Sequence, residues 1–189
     1  MAAGPRERLV TAAIELVRRD GVEGAALADI LERGGVARRS VYQHFPGGKA
    51  EMVSVATGEA GRRMRGVIAT LGAGVTPSEM LDGLVRRTAD DLRRSDFALG
   101  CPVMAAANSA DVTVVRAAAA EVFDLWIEEI SAQLVSAGRP ATEAQGLAGF
   151  VVSSIEGALA RARAARSVAP LEEAAAFLVP LVAAVGDAD

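Results

Sequence analysis

Apolar side chains return every third or fourth position through most of this chain, the period of a helix and not of a strand. Leu9, Ala12, Ala13, Leu16 and Val17 form one such stripe, with Arg8, Glu15, Arg18 and Arg19 off it. They predict a helix over 6–19, stopped by Gly21. Leu27, Ile30 and Leu31 predict a short helix over 26–33, broken by Gly34-Gly35, with Val36 plugging the turn. Val41 and Phe45, four apart, anchor a third helix over 38–44, ended by Pro46-Gly47-Gly48. A longer helix, polar and dotted with glycine, is expected over 49–71. Thr76-Pro77-Ser78-Glu79 joins a capping box to a proline at the first helical position. The helix it starts runs to Ser95, striped by Met80, Leu81, Leu84, Val85, Thr88 and Leu92.

Beyond it, Gly100-Cys101-Pro102 opens a short apolar helix. Ser109 with Asp111 starts another that reaches Ser136 and carries Val115, Ala119, Val122, Phe123, Trp126, Ile127 and Ile130. Thr142 with Gln145 caps a helix reaching Ala165, and Pro170 with Glu172 and Glu173 starts the last, which Pro180 should kink or shorten. The expected fold class is all-α. A three-helix N-terminal domain (1–50) carries a helix-turn-helix, and a larger helical body follows (51–189).

Composition agrees. Hydrophobic residues make up 51% of the 189 but aromatics only 4%, so the interior is built from Ala, Leu and Val, which suit close-packed helices. No run of about 18 uncharged apolar residues exists, which argues against a membrane-spanning helix. The first residues lack the apolar core of a signal peptide, and the expected location is the cytoplasm. One Cys and one His leave no metal-ligand spacing, and neither a phosphate loop nor a Ser/His/Asp grouping occurs. These absences argue against an enzyme and predict no cofactor and no metal.

Charge changes the picture once it is divided. The net charge is −4, yet residues 1–66 carry 11 basic and 8 acidic side chains. Within them, the stretch from Arg33 to Lys49 holds four positive charges (Arg33, Arg38, Arg39, Lys49) and no acid. It also holds the chain's one Tyr, one His and one Lys. A surface that collects donors and repels acids is suited to phosphates. With Val41 and Phe45 turned inward, Arg38, Arg39, Ser40, Gln43 and His44 fall on the outer face and exposed first turn of the third helix. Arg grips guanine O6/N7 and Gln adenine N6/N7 in bidentate fashion. Ser40, Tyr42 and Lys49 suit phosphates, where they set register without reading sequence. The bland alternative is a merely solvated basic face.

The residues now carry a resemblance. Leu9-Val10-Thr11-Ala12-Ala13, Leu16, Gly21, Asp29-Ile30, Gly35-Val36, Val41-Tyr42-Gln43-His44-Phe45 and Lys49 resemble the N-terminal domain of TetR-type bacterial transcriptional regulators. The resemblance covers about residues 6–55 and implies double-stranded DNA as a partner. The positions that commonly face it are Arg38, Arg39, Ser40, Tyr42, Gln43, His44 and Lys49. The Gly-Cys-Pro start, with Phe45-Pro46-Gly47-Gly48-Lys49, is similar to the sub-group related to the lincomycin-resistance repressor of bacilli. Two departures stand out: Ala25-Ala26 and Ala37 occupy helix starts where such proteins often carry Thr or Ser. Each lost cap costs about 0.5–2 kcal/mol, and DNA binding is expected to be more salt-sensitive than in relatives with the hydroxyls.

For the body, the resemblance implies a regulator, most simply a repressor, released from its operator by a small, mainly apolar or aromatic ligand. The candidate cavity residues are Phe97, Cys101, Met104, Asn108, Phe123 and Trp126; in the plainer reading Phe123 and Trp126 are ordinary core and Cys101 a small buried hydrophobe. A DNA-binding regulator without a ligand remains the alternative. The two last helices are apolar enough to need a partner, and the resemblance has them meet their copies across a two-fold axis as a homodimer. The candidate interface is Leu147, Phe150, Val151, Ile155, Ala158, Leu178 and Leu181.

Overall fold

The structure is a computed structural model that describes residues 3–110 and 112–183. Among these the regular structure is helical throughout: α1 (Pro5–Gly24), α2 (Leu27–Gly34), α3 (Arg38–His44), α4 (Gly48–Gly72), α5 (Pro77–Arg94), α6 (Pro102–Ala107), α7 (Thr113–Ser136), α8 (Ala141–Ala165) and α9 (Ala169–Ala183). The chain packs as two units, residues 1–62 with 101–122 and residues 63–100 with 123–189.

In the first unit α1 is the central element, packed against α2, α3 and α6. Its stripe is buried as the periodicity demands: Leu9, Ala12, Ala13, Leu16 and Val17 are all in the core with Ile30, Val41, Phe45, Met52 and Val53. Gly21 does break the helix, with φ of 77° and ψ of 177°, and a last turn to Gly24 follows the kink. Residue 23 in that turn then holds the α6–α7 turn. The Glu23 carboxylate accepts Ser109 Oγ–H at 2.8 Å and the Ala110 amide at 3.2 Å. Arg116 closes the same turn by donating to the Ser109 and Ala110 carbonyls at 2.8 and 2.6 Å. Ser109 is thus occupied with Glu23 and does not cap α7, which starts at Thr113; Asp111, its expected companion, lies outside the described residues.

In the second unit α5 packs on α9 and α8, and α8 on α9. The capping box forms: Thr76 accepts the Glu79 amide at 3.2 Å, and Glu79 accepts the Thr76 amide at 2.9 Å. The α5 stripe is buried at Met80, Leu81, Leu84, Val85 and Leu92. The start of α8 differs from the expected Thr142 cap, because Pro140 is the N-cap residue and offers no side-chain acceptor. Helix α9 passes through Pro180 to Ala183 rather than shortening there. Ala176, whose carbonyl loses the Pro180 donor, is exposed, so water can serve that carbonyl.

The connection after α5 is strained. Asp96 and Phe97 both adopt left-handed backbone, with φ of 49° and 59°. That conformation costs roughly 1–2 kcal/mol for each residue with a side chain. The C-terminal end of α8 holds them there. Arg166 donates to the Asp96 carbonyl at 3.1 Å, pairs with its carboxylate at 2.7 Å, and lies 5.8 Å from the Phe97 ring centre. Arg163 donates to the Ala98 carbonyl at 2.9 Å.

Candidate nucleic-acid interface

The local sequence explains how α2 and α3 come to form a helix-turn-helix. Gly35 caps α2 in a left-handed conformation (φ 58°), and its amide and that of Val36 bond back to the Glu32 and Leu31 carbonyls. This turn is tight because glycine adopts that backbone without a side-chain clash. Helix α3 then begins after Ala37, whose side chain makes no cap, and Ala26 leaves α2 equally uncapped. Both alanines stand where the missing hydroxyls were expected. The amides of Arg38 and Arg39 consequently have no partner in the chain among the described residues.

Two residues fix α3 to the core. Val41 and Phe45 are both fully buried, each contributing about 1.5–3 kcal/mol. That anchoring turns the rest of a seven-residue helix outward. Arg38, Arg39 and Gln43 are exposed, Ser40 and His44 half-buried, and Tyr42 is 53% exposed with its ring edge against Gly48. Lys49 is half-buried at the start of α4. Among the described residues, Arg38, Arg39 and Lys49 form no ion pair. The seven expected contact residues therefore lie on one short helix and the first turn of the next.

Two refinements were not legible in the strip itself. Arg33 does not share in the free positive charge: its guanidinium makes a two-pronged ion pair with Glu15 of α1, Nε to Oε2 at 2.6 Å. Among the described residues, three of the strip's four cations are left without an ion pair. The turn before α4 is also tied to the helix, because Glu51 accepts the Gly47 amide at 2.7 Å.

Comparison with known proteins agrees with this geometry. Residues 9–56 match the family described as bacterial regulatory proteins, tetR family. Residues 77–177 match the C-terminal domain of LmrA/YxaF-like transcriptional regulators. The chain belongs to the TetR family. An HTH-type transcriptional regulator of Mycobacterium tuberculosis, Rv0196, is 34% identical over 89% of both chains. The HTH-type transcriptional regulator LmrA of Bacillus subtilis is 27% identical, over 88% of this chain and 90% of its own. A TetR transcriptional regulator from Legionella pneumophila shares the fold with a TM-score of 0.84 at 20% identity, over 95% of this chain and 98% of that one. One from Chloroflexus aurantiacus is 29% identical with a TM-score of 0.72, over 95% and 94%. This TetR-family chain is therefore a DNA-binding transcriptional regulator and not an enzyme. Among the described residues, no helix is long and apolar enough to cross a membrane.

The body residues of this TetR-family member divide between the two units. Phe97, Phe123 and Trp126 belong to the second unit, and Cys101, Met104 and Asn108 to the first. Phe123 and Trp126 meet edge to face, ring centres 5.6 Å apart at 84°. Trp126 is buried, whereas Phe123 and Phe97 are half-buried. Cys101 is not a plain buried hydrophobe. It is half-buried at the start of α6, where its Sγ accepts the Met104 amide at 3.4 Å. Met104 is half-buried, and Asn108 is exposed just past the end of α6. The second unit separately has an open cavity of about 330 Å³ between the α4–α5 turn (Gly74 to Pro77) and the end of α7 (Gln133, Ser136, Ala137). It contains none of the six.

The seven candidate interface residues divide as well. Val151, Ile155, Ala158 and Leu178 are buried within their own unit, and Leu147 is half-buried. Phe150 (55%) and Leu181 (43%) are exposed, and so is Phe177, at 80% the most exposed large apolar side chain described. Phe177 had a signal: it stands four residues before Leu181, on the same side of α9. Gly146 and Gly157 of α8 have open space where a Cβ would be.

Proposed function

We propose that the chain is a homodimeric repressor that a small, mainly apolar ligand releases from its operator. The observation that carries the DNA half is α3: two fully buried anchors beneath an exposed face with Arg38, Arg39, Gln43 and no acid. In this reading Arg38, Arg39 and Gln43 read base edges in the major groove, while Ser40, Tyr42, His44 and Lys49 fix register on phosphates. The division of labour is an N-terminal DNA-binding domain over 1–50 and a ligand-binding and dimerisation body over 51–189, acting in the cytoplasm.

The dimer is supported by apolar side chains that the single chain leaves in water. Phe150, Phe177 and Leu181 are large and exposed, and the open glycines of α8 allow close approach of another helix. Two copies would present two α3 helices to half-sites about 34–36 Å apart or more. The ligand half is supported by the aromatic pair Phe123–Trp126 and by the half-buried Phe97, all of the second unit. A ligand that binds better to the conformation unable to span two half-sites lowers DNA affinity, and DNA lowers ligand affinity by the same factor.

Selection of duplexes from a random pool by the full chain tests this directly. The expected product is a near-palindrome, bound by a dimer and released by one class of apolar small molecule. Enrichment of single half-sites bound by a monomer would overturn the dimer. A body that binds no small molecule while operator binding persists would overturn the ligand.

A further inference from the structure

The basic side chains of the first unit can be sorted by what already holds them. Arg19 pairs with Asp20, Arg33 with Glu15 and Arg62 with Glu59, while Arg116 is spent on two carbonyls. Arg6 is different. It is exposed in the first turn of α1, makes no ion pair among the described residues, and has its guanidinium 5.4 Å from the centre of the Phe45 ring. Phe45 directly follows His44, the last residue of α3, and is itself fully buried. The guanidinium is thus brought from the far end of α1 to the end of the recognition helix. It stacks there on a ring that cannot move.

We propose that Arg6 is a further DNA-contacting residue, binding a backbone phosphate beside the end of α3, with Phe45 as the platform that holds it. This rests on the reading of α3 as the recognition helix. A stacked guanidinium keeps its planar fork of donors at the rim of the ring, oriented for two phosphate oxygens, and loses little rotamer freedom on binding. Among the described residues no carboxylate pairs with it. Arg6 carries no base-reading role, because a phosphate contact is the same on every sequence.

The test compares Arg6→Gln, Arg6→Lys and Arg39→Gln with the parent on the selected duplex and on unrelated DNA, over a range of salt, alongside thermal melting. Arg6→Gln should weaken both duplexes by about tenfold at low salt and flatten the log K against log salt slope by about 0.9 per bound protomer. Arg6→Lys should restore most of the slope while melting lower than the parent, since it keeps the charge and weakens the stack. Arg39→Gln should lose affinity mainly on the selected duplex. If Arg6→Gln leaves the slope untouched and only lowers the melting temperature, Arg6 is a packing residue and the inference falls while the reading of α3 stands. If Arg39→Gln also binds both duplexes like the parent, the reading of α3 falls with it.

Discussion

Two glycines five residues apart on α4 make opposite predictions. A Cβ added at Gly61 would stand 2.4 Å from both methyl carbons of Val122 in α7 and 2.9 Å from its Cβ. Carbon atoms in contact prefer about 3.5–4.0 Å, and a helical valine has essentially one χ1 rotamer, so neither methyl can swing aside. The helices must separate, at a cost of about 1–3 kcal/mol. At Gly66 a Cβ would meet nothing within 4 Å. Both replacements by alanine gain the same helix propensity, about 1 kcal/mol. The difference between Gly61→Ala and Gly66→Ala therefore isolates the steric term. Urea unfolding should show Gly66→Ala more stable than the parent and Gly61→Ala less stable than Gly66→Ala by about 1–3 kcal/mol. Val122→Ala removes both offending methyls, so the pair Gly61→Ala with Val122→Ala should be more stable than the single effects predict, by about 1 kcal/mol. Equal stabilisation at both glycines, with no coupling to Val122, would refute the close α4–α7 approach.

Other consequences are as direct. Gln43→Ala should cost about 1–3 kcal/mol on the selected operator and far less on unrelated DNA, measured by anisotropy; equal losses would make it a phosphate contact. Phe177→Glu should turn the proposed dimer into monomer in sedimentation and weaken operator binding, without lowering the helical signal. Glu23 gives a pH dependence. The hydrogen bond from Ser109, then the backbone amides of Glu23 and Ala110 and the charge of Lys49, hold its carboxyl below the usual range. A lowered folded-state value stabilises above the ordinary pKa of about 4.3 and is lost as pH falls through the folded value. Glu23→Gln should thus melt below the parent at neutral pH, with the gap closing in acid; a gap independent of pH would remove the carboxylate from the account.

What was legible in the sequence was whatever a short period can encode. The stripes of α1 and α5 and the anchors Val41 and Phe45 are local patterns, and each is buried as its spacing requires. The contact face of α3 follows from those anchors. What escaped depends on residues far apart in the chain: Glu15 neutralises Arg33 across 18 positions, and Glu23 claims Ser109 across 86. No window contains both partners. On α8 and α9 a stripe marks burial without saying whether a helix of the same chain or of another copy covers it. Val151, Ile155, Ala158 and Leu178 are covered within the chain. The left-handed Asp96 and Phe97 had little signal: Asp tolerates such backbone better than most side chains, but Phe does not, and the Arg166 that holds both lies 70 positions away.

The alanines at 26 and 37 redistribute when energy is spent. A serine or threonine cap closes onto its own helix in the free protein, and the bond must open before a phosphate can take the same amide. Ala37 has no such bond to surrender, so the Arg38 and Arg39 amides wait in water and a phosphate has only solvent to displace. The free domain folds less firmly for it. An anion that binds these amides, in return, finds no side-chain cap to displace, and the penalty falls on folding instead of on association.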